Sequence, residues 1–189
     1  PFARAYKMAM ESPDTMIYSI FKLPNREQLF KWIPVQGFAI EMFLFKPRFR
    51  TDIQVLTLDD VKEYVVGVTR DTSTHHHLLS QGFVEHVNLL PLASEEQNIL
   101  MTRPGVERTD FATGDGLSLA RWLGKAGMAP DYLEKVLFLF KEDVYLAFGL
   151  ETSDRIVERV RKALSEITAD GTVQAIIERN YQLQSEPAQ

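Results

Sequence analysis

The hydrophobic positions of this chain switch repeatedly between a period typical of strands and a period typical of helices. Short runs rich in β-branched and aromatic residues predict strands at 15–21, 37–46, 65–69, 87–90, 110–113 and 144–150. Between these runs, spacing and capping residues predict shorter helices or turns at 2–10, 25–32, 57–64, 74–81, 94–100 and 117–125. Strands that alternate with helices are typical of an α/β fold with a parallel sheet and right-handed crossovers.

The last quarter of the chain carries the clearest helical pattern. An apolar strand at 144–150 leads into a helix whose apolar residues recur at three- and four-residue steps. These residues are Ile156, Val157, Val160, Leu164 and Ile167. Asp170 and Gly171 predict a break, and Thr172 begins a second helix.

Composition excludes some classes of function but does not identify one. The chain has 189 residues, of which 45% are hydrophobic and 25% are charged, as in a globular protein of one or two domains. A net charge of -5 argues against nucleic acid or an anionic membrane as the main partner. Residues 1–10 do not resemble a signal peptide, so these residues do not themselves indicate export. With no cysteine, the chain has no disulfide framework.

The sequence predicts no catalytic residue, no cofactor and no metal site. It contains neither a P-loop nor a G-x-S-x-G elbow. The consecutive histidines at 75–77 would point in directions about 100° apart on a helix, which favours a solvated surface over a shared metal. The carboxylate pair Glu95 and Glu96 is typical of a helix first turn.

Arg26 is the candidate for binding a carboxylate, because a guanidinium donates two parallel hydrogen bonds to that group. It follows the strand at 15–21, on a turn that opens a short helix. The alternative is a solvated arginine that pairs with Glu27 or another neighbour.

Three further candidates lie where predicted strands end. Thr72 and Ser73 occupy a strand-to-helix junction, where hydroxyl and backbone N–H groups can hold a carboxylate, or where they can simply cap the helix. Asp115 follows the strand at 110–113, where an open α/β sheet presents residues to a crevice. Its alternative is a turn residue that caps the next helix.

Four segments resemble, in order and spacing, the bacterial extracellular solute-binding proteins of family 3. They are ARAYKMAM, IYSIFKLPNREQLFKW, LDDVKEYVVGVTRDTSTHHHLL and the ending YLAF…T…ADGT…Y. The resemblance implies a type II periplasmic binding protein fold, with two α/β lobes joined by two hinge strands. Lobe one would be 1–45 with 148–189, and lobe two would be 46–147. Family members begin with a strand, helix and strand that would precede Phe2, so we expect lobe one to lack its N-terminal part.

The resemblance also implies a function. A periplasmic protein of this kind captures a small polar solute, such as an amino acid or related carboxylate, by hinge closure and presents it to an ABC permease. By match of position, Arg26 would bind the carboxylate, Asp115 the ammonium group, and Thr72 with Ser73 would form the anion loop of lobe two. Ser19 is the remaining polar residue of the kind expected before the arginine.

Departures from the family pattern leave other functions open. Phe21 and Leu23 replace the usual small hydroxyl residues, and Asp71 replaces a glycine, so the ligand differs from a standard amino acid or the site is degenerate. One alternative is a ligand-sensing or degenerate module that acts with a membrane sensor. An enzyme with Asp115 or Glu41 as its acid or base ranks last. An incomplete lobe one would expose strand edges, so we expect self-association or a weakly stable lobe.

Overall fold

Two compact units make up the chain. The computed structural model describes residues 2 to 185, and the side chains of residues 2 to 179. Unit 1 comprises Pro1–Ile40 and Lys141–Gln189, and unit 2 comprises Glu41–Phe140. The chain therefore leaves unit 1 once and returns to it once.

Six strands and six α-helices follow one another along the described residues. In chain order they are α1 (Phe2–Glu11), β1 (Met16–Phe21), β2 (Phe30–Pro47), β3 (Val66–Thr69), α2 (Ser73–Ser80), β4 (Leu89–Leu92), α3 (Glu95–Leu100), β5 (Phe111–Asp115), α4 (Leu119–Lys125), β6 (Leu133–Gly149), α5 (Asp154–Ala169) and α6 (Thr172–Ser185). Short 3₁₀ turns cover Glu27–Leu29 and Asp60–Glu63. The long strands β2 and β6 each run from one unit into the other.

In unit 1, β1 pairs antiparallel with the end of β6, from Met16 opposite Phe148 to Phe21 opposite Val144. A bulge interrupts the pairing at Ser19, whose φ of 58° lies in the left-handed region. Buried apolar residues of α1, β1, β2 and β6 form one core cluster; they are Ala9, Ile17, Ile20, Phe30 and Ala147.

The predicted apolar stripe of α5 packs in unit 1. Val157 is buried with Ile33 and Phe148, and Ile156, Val160 and Leu164 are partly buried against the same cluster. The last residue of the stripe, Ile167, is exposed. As predicted, the helix ends before Gly171, whose φ of 84° is favourable for glycine, and α6 begins at Thr172.

In unit 2, β3 pairs parallel with both β4 and β5, while β2 pairs antiparallel with β5. Thr69 lies opposite Leu92, so β3 and β4 end together. The predicted parallel arrangement is therefore confirmed for β3, β4 and β5, and the antiparallel β2 makes the sheet mixed. β4 begins two residues later than predicted, and β5 covers Phe111–Asp115 instead of 110–113, because Asp110 binds the Val65 N–H at 2.9 Å through its side chain.

Alternation along the strands gives unit 2 two apolar cores. Leu44 and Phe111 belong to one cluster, with Leu78 of α2, whereas Phe43 and Ala112 belong to the other. Successive side chains of a strand point to opposite faces, so both faces of this sheet are covered. Among the described residues, none of the helices is long and apolar enough to cross a membrane.

Gly149 allows the end of β6 to lie against the end of α1. A Cβ built at Gly149 would lie 2.5 Å from the Ala9 carbonyl oxygen and 3.0 Å from the Met10 carbonyl oxygen, both backbone atoms. A Gly149→Ala variant is therefore expected to lower the free energy of unfolding by about 1 to 3 kcal/mol, as measured by chemical denaturation.

Gly124→Ala is the matched control for this prediction. Gly124 lies in α4, and a Cβ there would meet nothing within 4 Å. Alanine should stabilise that helix by up to about 1 kcal/mol. Equal stability of Gly149→Ala and the parent chain would contradict the proposed close approach.

Candidate functional site

The candidate polar residues of unit 2 lie at or shortly after the carboxyl ends of its three parallel strands. β3 ends at Thr69, β4 ends at Leu92 immediately before α3, and β5 ends at Asp115. In open α/β sheets, ligands bind outside this edge, because the loops that follow each strand begin there. The structure therefore brings Thr72, Ser73 and Asp115 to one edge of unit 2, as their positions in the sequence predicted.

Thr72 caps α2. Its Oγ1 accepts a hydrogen bond from the His75 N–H at 3.3 Å, and the hydroxyl donates to the Thr69 carbonyl oxygen at 2.7 Å. The capping alternative considered for Thr72 is thus realised. Ser73 is the first residue of the helix and is buried. A ligand-binding role for either residue stays a prediction.

Asp71 has a backbone conformation that favours glycine. Its φ of 61° is left-handed, a region that aspartate tolerates better than most residues. The Asp71 N–H donates to His75 Nδ1 at 3.2 Å. His75 Nε2 lies 2.8 Å from Glu85 Oε1, so this histidine connects the loop to Glu85.

The expectation that the three histidines form a solvated surface is wrong for His75, which is buried. His77 is half-buried beside Phe140, with 4.6 Å between ring centroids, and burial lowers its pKa. Residues 2 to 185 contain no group of three or more His, Cys, Asp or Glu side chains suited to a metal ion.

Asp115 organises its own loop. Its Oδ1 accepts hydrogen bonds from the Leu117 N–H at 2.9 Å and the Ser118 N–H at 2.8 Å, and its Oδ2 accepts one from the Ser118 hydroxyl. The turn alternative considered for Asp115 is therefore realised, whereas α4 begins at Leu119 and has no side-chain cap. Its role as an ammonium-binding residue stays a prediction.

Glu95 is a functional candidate that the sequence analysis assigned only to a helix first turn. It is the first residue of α3, shortly after the end of β4, and it is half-buried. Burial raises the pKa of its carboxyl to about 7, and the charge of Asp115 acts in the same direction. Hydrogen bonding of the Thr69 and Asn98 side chains to this carboxyl opposes the rise. Its place in the first turn of the predicted helix at 94–100, which follows a predicted strand, was the signal that could have identified it.

A buried network of polar groups links α3 to β5 and β3 near this edge of the sheet. Asn98 is fully buried and donates from Nδ2 to the Thr113 carbonyl oxygen at 3.0 Å and to Thr113 Oγ1 at 3.1 Å. The Thr113 hydroxyl in turn donates to the Gly67 carbonyl oxygen at 3.1 Å. Four buried side-chain atoms of the described residues have no partner of strict hydrogen-bond geometry: Thr69 Oγ1 and Asn98 Oδ1 beside Glu95, His75 Nε2 beside Glu85, and Thr109 Oγ1.

In unit 1, Arg26 is buried, with 4% of its surface exposed. Its guanidinium carbon lies 5.4 Å from the ring centroid of Phe2 and 5.1 Å from that of Tyr6, which are cation–π distances. The alternative of a solvated arginine is therefore wrong. Ser19 lies at the exposed bulge of β1, and a ligand-binding role for either residue stays a prediction.

Comparison with known proteins shows the fold. No protein-family profile matches the chain, and no curated protein sequence matches it. Among solved structures, a histidine kinase sensor domain with similarity to periplasmic binding proteins is similar with a TM-score of 0.76 and 16% identity, over 93% of this chain and 75% of its own. A solute receptor for L-cysteine of Neisseria gonorrhoeae is similar with a TM-score of 0.70 and 15% identity, over 94% and 68%.

A mutant of ArgBP from T. maritima is also similar, with a TM-score of 0.70 and 16% identity, over 87% of this chain and 67% of its own. The chain thus has the fold of the type II periplasmic binding proteins, and the predicted resemblance is confirmed at the level of fold. It spans about two thirds to three quarters of the length of these three chains.

The raised pKa of Glu95 gives a pH-dependent prediction for stability. The pKa of Glu95 is about 7 in the folded protein, against an ordinary value of 4.5. The proton on this carboxyl therefore stabilises the folded state fully below pH about 4.5, and this stabilisation is lost as the pH rises to about 7. Glutamine resembles the neutral acid. Glu95→Gln should therefore be more stable than the parent chain at pH 8 by about 1 to 3 kcal/mol, with little difference at pH 4.

Chemical denaturation at both pH values measures this difference. Glu96→Gln removes the same charge from the same turn of α3 and controls for the change in net charge. If Glu95→Gln gains no stability over the parent chain between pH 4 and pH 8, the interpretation of the Glu95 environment is wrong.

Proposed function

We propose that this protein captures a small polar solute, most suitably an amino acid or related carboxylate, in the periplasm for an ABC importer. The observation that carries the proposal is the set of polar side chains at the carboxyl ends of β3, β4 and β5. They lie in a fold shared with solved solute receptors. A protein that binds a solute without reacting with it needs hydrogen-bonding groups of this kind but does not need a catalytic group.

Arg26 is the proposed anchor for the solute carboxylate. Its contacts with Phe2 and Tyr6 support this role, because aromatic rings engage the flat face of a guanidinium, whereas carboxylates bind along its edge. Two aromatic contacts of this kind restrict the conformations of the side chain before the ligand arrives. In this proposal, β2 and β6, the strands that run through both units, act as the hinge.

A second candidate function is ligand sensing for a signalling partner in the membrane. One specific observation favours it, the similarity to a histidine kinase sensor domain over 93% of this chain with a TM-score of 0.76. The binding step is the same in both functions. What differs is the partner, a permease in one case and a sensor in the other.

A thermal melt against a panel of amino acids and small carboxylates tests the binding function. A solute at a hundred times its dissociation constant should add roughly 2.7 kcal/mol of stability, which corresponds to about 5 to 10 °C in Tm for a chain of this size. A shift with one chemical class of solute supports the proposal. A cooperative melt that no member of the panel shifts would count against it.

Arg26→Lys tests the proposed anchor while keeping the positive charge. Lysine is a point charge and cannot donate two parallel hydrogen bonds, so affinity for the solute that shifts the melt should fall about tenfold or more. Calorimetric titration measures this change. Arg121→Lys, at an exposed position 4.7 Å from the Trp122 ring in unit 2, is the matched control. Unchanged affinity in a folded Arg26→Lys protein would exclude the anchor.

A further inference from the structure

The buried imidazole of His75 connects two segments of unit 2 that are not adjacent in sequence. Only 4% of the surface of His75 is exposed. Its Nδ1 accepts a hydrogen bond from the Asp71 N–H at 3.2 Å, and its Nε2 lies 2.8 Å from Glu85 Oε1. Each ring nitrogen thus faces a polar group, as a buried side chain requires. The ring joins the loop before α2 to the segment that follows this helix.

The contact with Asp71 determines which nitrogen of the neutral ring carries the proton. A backbone N–H group can only donate, so Nδ1 must present its lone pair to it. The proton of the neutral ring therefore lies on Nε2, towards Glu85. The carboxyl group of Glu85 can accept from that nitrogen, so both neighbours of His75 favour the same tautomer.

The bonds around the start of α2 have the form of a capping box in which an imidazole replaces the usual carboxylate or amide. In such a box the side chain of the first residue accepts from the backbone of the fourth, and the side chain of the fourth reaches back. Thr72 Oγ1 accepts from the His75 N–H at 3.3 Å. The ring of His75 reaches back one residue further than usual, to the N–H of Asp71.

Asp71 is the residue of this loop that most needs to be held. Its φ of 61° lies in the left-handed region, which is disfavoured for a residue with a side chain and persists only where neighbouring groups fix it. On one side of it, the Arg70 N–H donates to the Leu92 carbonyl oxygen at 2.9 Å. On the other side, the Thr72 hydroxyl donates to the Thr69 carbonyl oxygen at 2.7 Å. The His75 ring holds the residue between these two bonds.

We propose that His75 is a positioning residue, which holds residues 70–72 in the shape that binds the solute and acts through this loop, without contact with the solute. The inference rests on the proposed solute-binding function, in which Thr72 and Ser73 are predicted ligand residues. A loop that is ordered before the solute arrives loses less conformational entropy on binding, so affinity depends on the group that orders it.

A nitrogen NMR spectrum of the histidine side chains tests the tautomer without any substitution. Proton–nitrogen correlations within the ring distinguish a nitrogen that carries a proton from one that does not. At pH 8, His75 should show a proton on Nε2 and none on Nδ1. A proton on Nδ1 would overturn the inference, because that nitrogen could then not accept from Asp71.

Two variants of His75 separate the acceptor from the bulk of the ring. His75→Leu keeps a side chain of similar size and has no acceptor, so hydrogen exchange of the Asp71 amide should become about three- to tenfold faster. Calorimetric titration with L-arginine, L-glutamine and succinate should show affinity reduced by a similar factor. His75→Asn places a carbonyl oxygen at the branch occupied by Nδ1, so it should keep slow exchange and affinity within about twofold of the parent chain.

His86→Asn is the matched control. It removes an exposed imidazole next to Glu85, at a φ of 62° that asparagine tolerates. Exchange of the Asp71 amide and affinity for the three probes should stay as in the parent chain. A thermal melt checks that each variant is folded, and the nitrogen spectrum of the parent chain decides the tautomer even if His75→Leu does not fold.

The outcomes separate this inference from the proposed function. Exchange and affinity that are unchanged in His75→Leu overturn the inference while solute binding stands. Equal losses in His75→Leu and His75→Asn also overturn it, because the ring would then matter only for packing. A parent chain that binds none of the three probes counts against the proposed function, whereas exchange of the Asp71 amide still decides whether His75 holds the loop.

Discussion

The parallel pairing of β3 with β4 and β5 is the constraint on which the rest of unit 2 depends. Parallel strands cannot be joined by a tight turn, so each needs a crossover, and here the crossovers contain α2 and α3. All three strands consequently end at one edge, and the loops that leave them bring together residues far apart in sequence. Any site of this unit that uses loop residues from more than one strand lies at this edge.

The loops at this edge serve the fold before they serve a ligand. Thr72 caps α2, and Asp115 holds the turn between β5 and α4. Such residues are fixed in position by their structural hydrogen bonds, which suits a binding site because little is left to order when the ligand arrives. The same bonds also reduce the number of hydrogen bonds that these side chains can still make to a ligand. Glu95 takes no part in capping α3 and is instead hydrogen-bonded to the side chains of Thr69 and Asn98.

In unit 1 the comparable constraint is close backbone contact. The end of β6 reaches the end of α1 only because Gly149 has no side chain. Through this contact α1 is held against the sheet, and its Phe2 and Tyr6 cover the guanidinium of Arg26. The burial of an arginine at this position is therefore a product of how α1 packs. The turn in which Arg26 lies does not by itself produce it.

Local signals predicted many of the elements and several of their ends. The apolar stripe of α5 and the break at Gly171 depend on side chains within one or two turns, and so does the cap at Thr72. β5 begins one residue later than predicted, because the Asp110 side chain takes the hydrogen bond that an earlier start would have used. The two long strands begin well before their predicted starts, β2 at Phe30 instead of 37 and β6 at Leu133 instead of 144. The resemblance to the family 3 solute-binding proteins supplied the candidate site residues, and the similar solved structures show the fold.

The sequence by itself determined the order of elements, the parallel sheet of unit 2 and the capping residues, because periodicity and capping act over a few neighbouring positions. Only the tertiary structure decided the raised pKa of Glu95, the burial of His75 and the aromatic cover of Arg26. These properties depend on desolvation and on groups many residues away along the chain. Both are set when strands and helices pack, and no local pattern in the sequence records them.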